Sequence, residues 1–360
     1  MTTLESHPRS WWRRLPRFSI RGLLVVTAIV AIPPAWWANS ANRQRQAVDF
    51  IKAAGGRVHY KGETDQVNLD WVYACRSWLI DLLGVDYFVD VVGVSLTSRA
   101  GDRELQVIAN KLPRVESIQI RGATVSAAGL SALAGIPSLS SLEISNSSLD
   151  QDDLRAIWRL ESLSVLDLHG SKLDEAGLDG VGDLWSLSTL DLSRTGVGDR
   201  AMEHVGKAVA IDTLFLANTQ VADVGLGSLE ELKGLIELDL TGTRVSDEGL
   251  KSLASHPLLG ELRLDRTEIG DAGLISLSKL TNLATLGIRR TKVTDRGLAS
   301  LAECSSLSLL ELIGTTISDA GLEQLRYPTG PLRVSVAGTH VTEAGAVRLE
   351  IVSPMLEILR

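Results

Sequence analysis

Residues 235–250 read LIELDLTGTRVSDEGL, and this stretch decides the fold because variants of it recur every 24 residues. Within it Leu238 and Leu240 flank one polar residue, which is the period-two pattern of a strand with one buried face. Both columns are aliphatic in eleven successive units. The first column holds Val94, Ile118, Leu142, Leu166, Leu190, Leu214, Leu238, Leu262, Leu286, Leu310 and Val334, and the second lies two residues later.

The second half of each unit predicts a turn and a short helix. Threonine stands three residues after the strand in seven successive units, from Thr195 to Thr339. An inward hydroxyl at this position can bond backbone groups of its own and adjoining units. Ser246 followed by Asp247 has the composition of a helix N-cap and first turn. We therefore predict one strand and one helix of about two turns per unit.

Glycine recurs two residues after the acidic position, as at Gly249. Because glycine disfavours helices, its recurrence indicates close packing between successive units. Asp153 and Ala201 depart from this column. The predicted fold is an α/β solenoid of about eleven units, in which the strands form one parallel sheet.

The consensus L-x-x-L-x-L-x-x-T-x-V-[ST]-D-x-G-L resembles the leucine-rich-repeat family, with threonine at the position where that family usually has asparagine. It is most similar to membrane-anchored bacterial members, and the resemblance covers residues 91–349. The resemblance implies a horseshoe whose concave sheet binds proteins, peptides or glycans, and it does not identify the partner. Residues 350–360 are predicted to be a partial repeat, in which Met355 and Ile358 continue the strand register without a polar cap.

The amino-terminal part is predicted to consist of a basic cytoplasmic tail (1–21), a membrane segment (22–38), and a linker helix with a cap (39–90). Residues 22–38 are uncharged and at the short end of what spans a bilayer. Paired tryptophans bracket them, as at membrane interfaces. The clustered arginines that precede them place the amino terminus inside and the repeats outside the cytoplasmic membrane. A secreted chain, cleaved near Ala38-Asn39-Ser40 as a signal peptide, is the alternative.

The linker region shows two apolar groups. Ala47, Val48, Phe50 and Ile51 predict an amphipathic helix that ends at Gly55-Gly56. A cap over the first repeat is needed because a bare end would expose core. The predicted cap contains Trp71, Trp78, Leu79, Leu82, Leu83 and Phe88.

Charge and cysteine content exclude several classes of function. The net charge is −8, and residues 1–45 contain seven arginines against Glu5, a balance of +6, so the remainder carries −14. Such an acidic body repels phosphate backbones, and we expect no nucleic-acid partner. Cys75 and Cys304 have no disulfide or zinc spacing, and Cys304 occupies an aliphatic column.

No motif in the sequence indicates catalysis. HExxH, GxSxG and P-loop patterns are absent, and the S-x-x-K string from Ser276 to Lys279 lies in a repeat helix without its companion motifs. We expect neither an enzyme nor a bound cofactor or metal. The leading hypothesis is a protein-interaction module; a structural spacer of the cell envelope is the alternative, and an enzyme has no positive sign.

The outward residues of the strands carry the site hypothesis, because the fold constrains them least. Glu143, Asp167 and Asp191 stack like charges about 4.8 Å apart in a parallel sheet. We favour solvated carboxylates here over a cation-rich partner or a weak divalent-metal strip. Phe215, the only aromatic residue of the column, is expected as an exposed ring between Asp191 and Asp239.

A second group of outward residues lies further along the chain. Leu309 and Ile313 are apolar, and Arg289 and Arg333 stand beside them. Gly287 is expected to leave a notch between its column neighbours, which are Arg263 and Glu311. Apolar anchors with a charged rim are typical of interface centres, whereas scattered surface hydrophobes are the alternative. The predicted binding residues are Phe215, Asp191, Asp239, Arg263, Arg289, Leu309, Glu311 and Ile313.

Overall fold

The computed structural model describes residues 38–61, 89–301, 304–325 and 330–360. The chain divides into two compact units, Met1–Gln46 with Asn68–Val89 and Ala47–Val67 with Asp90–Arg360. In the first unit residues 38–46 are helical, and the Gln44 side-chain amide donates to the Val89 carbonyl at 2.7 Å. The basic tail, the membrane segment except Ala38, Cys75 and the apolar cap residues 71–88 lie outside the described residues. Among the helices that are described, none combines the length and apolarity needed to cross a bilayer.

The second unit contains a sheet of thirteen strands, counted over the described residues. All of its strand pairs are parallel except the first, in which β1 runs antiparallel to β2. Two further strands, β5 and β7, form a separate small sheet. In chain order the strands are β1 Arg57–Tyr60, β2 Val91–Leu96, β3 Ser117–Arg121, β4 Ser141–Ser145, β5 Ser148–Leu149, β6 Val165–Asp167, β7 Lys172–Leu173, β8 Thr189–Asp191, β9 Thr213–Phe215, β10 Glu237–Asp239, β11 Glu261–Arg263, β12 Thr285–Gly287, β13 Leu309–Glu311, β14 Leu332–Ser335 and β15 Leu356–Leu359.

Strand register follows the repeat of the sequence. Leu238 of β10 pairs with Leu214 and with Leu262, each 24 residues away. The eleven predicted strands are confirmed as β2–β4, β6 and β8–β14; the structure adds β1 at one end, and β15 lies in the predicted partial repeat at the other. Ile358 continues the register by pairing with Val334, whereas Met355 precedes β15 and is 56% exposed.

A short helix follows most strands, and where the helix contains the column glycine the residue after it is buried, as at Leu250 and Leu274. At the amino-terminal end of the second unit, residues 47–53 are helical and bury Ala47, Val48 and Ile51, while Gly55 (φ 81°) follows in the left-handed region. The helices are Asp102–Lys111, Ala127–Ala132, Gln151–Ile157, Asp199–Val205, Asp223–Gly227, Asp271–Leu277, Asp295–Leu301, Asp319–Leu322 and Glu343–Val352, with 3-10 helices at Leu133–Gly135, Glu175–Asp183, Gly249–Ser255 and Glu323–Leu325.

The threonine column is buried and bonded, as the sequence predicts. The Thr243 hydroxyl donates to the Leu240 carbonyl at 2.6 Å, and the same bond recurs at each of the six remaining threonines of the column. Each bond stays within its own unit; the adjoining unit receives none from these hydroxyls. The Leu240 carbonyl also accepts the Thr243 amide at 3.1 Å, so it keeps one partner if the hydroxyl is removed.

The acidic position after the cap links neighbouring units through its side chain. Asp223 accepts the backbone amide of Ser246 at 2.7 Å and the Ser246 hydroxyl at 2.6 Å, one unit further on. A Cβ at Gly249 would lie 2.4 Å from the same carboxylate. Glycine is therefore required because the aspartate approaches so closely. The same pairing joins Asp102 to Gly129, Asp199 to Gly225, Asp247 to Gly273, Asp271 to Gly297, Asp295 to Gly321 and Asp319 to Gly345.

At the two departures from the glycine column, Asp153 and Ala201, the preceding unit has no aspartate at the acidic position, so a side chain is tolerated. Ala201 is preceded one unit earlier by Glu175, whose longer side chain accepts the Gly198 amide without requiring a glycine. Asp153 is preceded by Ala127, which leaves room for a side chain. The Asp153 carboxylate then accepts the Asp150 amide at 3.0 Å and completes a capping box in its own helix.

Candidate functional site

The open face of the sheet, defined here as the strand side chains that point away from the buried columns, contains the predicted site residues. Its aspartates have a local structural role. Asp167, Asp191 and Asp239 each accept the backbone amide two residues later, at 2.7–2.9 Å. These amides lie where the strand ends and ladder partners are lost, so a carboxylate satisfies an otherwise unpaired donor. This bonding accounts for the recurrent L-D-L pattern without a ligand.

Phe215 lies in β9 between two of these aspartates. It pairs with Asp191 on one side and Asp239 on the other, as expected from the repeat. The expectation of an exposed ring is wrong, because Phe215 is half-buried. A phenyl ring cannot accept the amide that an aspartate would accept here, so this strand lacks the local bond of its neighbours.

Three side chains come close together, one in β4, one in β6 and one in the turn after β6. One ligand atom each from Glu143, Asp167 and His169 lies within 4.8 Å of the others. Both Glu143 oxygens already accept from Arg121, at 2.7 and 3.1 Å, and the His169 ring nitrogen Nδ1 contacts Asp167 at 2.8 Å. A cation here would have to replace the guanidinium. The arrangement therefore fits an ion-pair network better than a metal centre.

Two arginines further along the sheet, Arg263 in β11 and Arg289 just after β12, form ion pairs with neighbouring carboxylates. Arg263 pairs with Glu237 at 3.4 Å and with Glu261. Arg289 pairs with Glu311, and its Nε, which is buried and has no hydrogen-bond partner, lies 3.8 Å from Asp265. These pairs are partly exposed, so each contributes at most about 1 kcal/mol to stability.

The expected notch at Gly287 is absent, because Gly287 is buried. A Cβ there would lie 3.1 Å from Asp265 and 3.4 Å from Glu311. Asp265 accepts the Arg289 amide at 2.7 Å from the preceding unit. It thereby replaces the carboxylate that an aspartate at position 287 would supply. The glycine makes room for this substitution rather than for a ligand.

Leu309 and Ile313 flank Glu311 on the open face, and both are half-buried. Leu309 pairs with Thr285 and Arg333, whereas in most units its position holds a polar residue. The Ile313 carbonyl accepts the Arg290 amide at 2.9 Å. The structure thus brings Leu309, Ile313 and Arg289 together around Glu311, while Phe215 lies four strands away in β9.

Two residues after the second buried strand column, as at Gly242 after Leu240, the backbone turns into the left-handed region. Ten successive units do so, with φ between 52° and 72°. Seven use glycine or asparagine, which tolerate this conformation. The other three are Arg194, Arg266 and Arg290. For such a residue the conformation costs on the order of 1–3 kcal/mol.

Burial shifts the titration of several open-face carboxyl groups. It raises the pKa of Asp191 above its ordinary value, against the opposing effect of hydrogen bonds from Ser193. Burial also raises the pKa of Glu237, with a further contribution from Glu261, and that of Asp265. In contrast, the hydrogen bond from Arg121 lowers the pKa of Glu143. Of these groups, only Glu143 is held by a cation strongly enough to favour its charged form.

Sequence reasoning missed two features of this face. Asp265 was not among the predicted residues, although its position two residues after Arg263 of the open-face column could have indicated it. Arg266 and Arg290 were missed because the repeat pattern gives no dihedral angle. The signal available was that asparagine or glycine fills the same column in seven other units, as at Asn146 and Asn218.

Comparison with known proteins agrees with this architecture. A family model described as Leucine Rich repeat matches residues 235–254. The chain is similar in structure to an internalin (InlF) from Listeria monocytogenes, with a TM-score of 0.55 and 15% identity over 81% of this chain and 94% of that chain. No curated protein matches the sequence. The 24-residue period, the sheet register and both similarities lead to one conclusion: this chain has the solenoid fold of leucine-rich-repeat proteins.

Proposed function

We propose that the chain is a non-catalytic protein-interaction module that binds a protein or peptide on its open face, centred on Leu309 and Ile313. The observation that carries this proposal is a pair of half-buried apolar side chains, Leu309 in β13 and Ile313 two residues after it, at positions that are polar in most other units. Packing of the repeat does not require them. A buried apolar anchor with a charged rim is the usual composition of an interface centre.

Phe215 is the second anchor in this proposal. It lies in the acidic part of the open face, where Asp191 and Asp239 would form the rim. A charge reversal at Asp167 is then expected to change the association rate and its salt dependence more than the residence time.

Display outside the cytoplasmic membrane is a further part of the proposal. It is supported by the uncharged run of residues 22–38 and the arginines before it. Either an uncleaved single-pass anchor or a secreted chain would place the repeats there. Protease added to spheroplasts should digest the repeats; complete protection while the membrane is intact would contradict this placement.

A structural spacer is the second candidate, and exposed hydrophobes off the open face favour it. Val224 and Ile275 on the helices are 73% and 60% exposed, and Trp185 in a loop is 72% exposed. Lateral contacts of an array would use such side chains. Val224 and Ile275 are two units apart, however, and isolated surface hydrophobes are ordinary.

A photo-crosslinker placed at Leu309 or at Ile275 separates the two candidates in living cells. The interaction module predicts crosslinks to another protein from position 309 and none from position 275. Ile275 is the matched control because it is an aliphatic residue of the same repeat array and is 60% exposed. Crosslinks only from position 275 would favour the spacer.

A further inference from the structure

The arginines of the left-handed turn column differ from all other arginines of the open face. Arg263, Arg289 and Arg333 each pair with a carboxylate. Arg290 is exposed and, within the described part of the chain, forms no ion pair or side-chain hydrogen bond. Arg266 has only a 3.4 Å contact to the amide oxygen of Asn218. Nothing in the fold therefore uses the charge of either side chain.

Their position makes these two arginines costly to the fold. Arg266 (φ 56°) and Arg290 (φ 54°) occupy adjacent units, so two guanidinium groups are carried by strands about 4.8 Å apart. Asparagine at Asn146 and Asn218 makes the same turn without either cost. A strained conformation and unneutralised like charges, at positions where other units have a tolerant residue, point to a role outside the fold.

Arg290 is next to the apolar anchors. Its amide donates to the Ile313 carbonyl at 2.9 Å. A Cβ at Gly314 would lie 3.0 Å from the Arg290 Cγ, so the stem of Arg290 extends over the unit that contains Leu309 and Ile313. Free cationic groups and half-buried apolar groups are therefore adjacent on one part of the open face.

We propose that the partner is an acidic protein segment, whose carboxylates bind Arg266 and Arg290 while one of its apolar side chains packs on Leu309 and Ile313. This inference rests on the proposed function and specifies the chemistry of the partner. The guanidinium group binds carboxylates in a bidentate manner, and the apolar contact requires a side chain that a polyanionic glycan lacks. Asp167, Asp191 and Asp239 repel the carboxylates of this segment and so restrict these carboxylates to β11–β13, while contact with Phe215 in β9 would come from an uncharged part of the same partner.

The test uses the full chain and a short fluorescein-labelled oligoglutamate peptide with one central leucine. Arg266→Asn and Arg290→Asn remove charge while keeping a residue that tolerates the turn, so melting temperatures should stay equal or rise. We expect each to weaken peptide binding about fivefold to tenfold and to reduce its salt dependence. Arg194→Asn is the matched control, since it makes the same change in the acidic part, and it should bind as wild type.

Three outcomes would overturn this inference. The first is wild-type binding by both Arg266→Asn and Arg290→Asn, and the second is equal weakening by Arg194→Asn. The third is that the wild type does not bind the peptide. This includes the case in which the wild type binds heparin, a polyanionic glycan, and Arg266→Asn and Arg290→Asn bind heparin more weakly. Each of these leaves the proposed function intact if crosslinking from position 309 succeeds. A failed crosslink there would instead contradict the proposed function itself.

Discussion

Two regions of the main sheet, strands β6 and β8–β10 and strands β11–β13, share the same parallel register, but their charged open-face side chains have different roles. In β6, β8 and β10 the open-face aspartates accept amides of their own turns. In β12 that aspartate is replaced by Gly287, and Asp265 supplies the carboxylate from the unit before. The second region also contains two adjacent arginines that the fold does not use, Arg266 and Arg290, whereas the first contains a single arginine of this kind, Arg194.

The difference shows that charge on a repeat surface is poor evidence of binding until its local bonds are known. The acidic column is conspicuous in the sequence, yet each of its turn-capping aspartates has a structural task. Arg266 and Arg290 are inconspicuous in the sequence, yet they have no structural task, and they differ from Arg194, which is equally unpaired among the described residues, in lying in adjacent units beside the apolar anchors. Mutations can test this division of the open face, and one effect should be shared by both regions.

The largest expected effect concerns the glycine column, which is the same in both regions. Gly225→Ala should destabilise by about 2 kcal/mol, because the new Cβ would meet Asp199 at 2.5 Å and break its bond to the next unit. Gly297→Ala should cost a similar amount, since its Cβ would also lie 2.5 Å from a carboxylate. Chemical denaturation measures both.

Gly227→Ala is the control for this prediction. It lies in the same helix as Gly225, and a Cβ there meets nothing within 4 Å, so the change should stabilise slightly through helix propensity. Adding Asp199→Ala to Gly225→Ala should relieve the contact with the carboxylate but not the 2.9 Å approach of the new Cβ to the Asp199 Cα. Equal stability of Gly225→Ala and Gly227→Ala would refute the requirement for glycine.

A smaller effect is expected in the threonine column. Thr243→Val removes the bond to the Leu240 carbonyl, which retains the Thr243 amide as a donor. The loss should therefore be about 1 kcal/mol, below the cost of a fully unsatisfied carbonyl. Thr243→Ser keeps a hydroxyl and should lose less than the valine variant. A denaturation midpoint unchanged by Thr243→Val would count against a buried hydroxyl bond.

The smallest effect depends on pH and belongs to the acidic region. Burial raises the pKa of Asp191, so the folded chain holds this proton more tightly than the unfolded chain does. Its stabilising contribution is then full at low pH and is lost as pH rises through the raised pKa. Asp191→Asn keeps an oxygen for the Ser193 amide and carries no charge.

At neutral pH the Asp191→Asn variant should match or exceed the wild type in stability by less than about 1 kcal/mol. This advantage should disappear below the ordinary pKa of aspartate, about 3.9. Thermal denaturation across this pH range measures it. An asparagine variant that is clearly less stable at neutral pH would show that the charge itself supports the fold.

Much of the fold could be predicted from the sequence because the period fixes which residues face inward. The strand columns, the buried threonines and the eleven units follow from spacing alone. The contact between Asp223 and Gly249 could be anticipated only as close packing, since the partner of the glycine lies in another unit. β1 was missed because Arg57–Tyr60 lies outside the repeat and pairs antiparallel.

The candidate site was less predictable, because exposure depends on neighbouring side chains rather than on register. Phe215 was placed correctly between its two aspartates but is half-buried, and Gly287 is filled by Asp265 rather than open. The left-handed arginines depend on backbone angles that no residue pattern states. Register could be predicted from sequence, whereas the use of each open-face charge could not.

The most direct test of the central claim is a binding titration of Leu309→Ala and Phe215→Ala against the protein recovered by crosslinking from position 309. The account predicts that Leu309→Ala weakens binding by about 2 kcal/mol or more, while its melting midpoint changes little. Phe215→Ala should weaken binding by a similar amount if β9 contributes the second anchor. Wild-type affinity in both variants would contradict an interface on the open face and leave the spacer as the explanation.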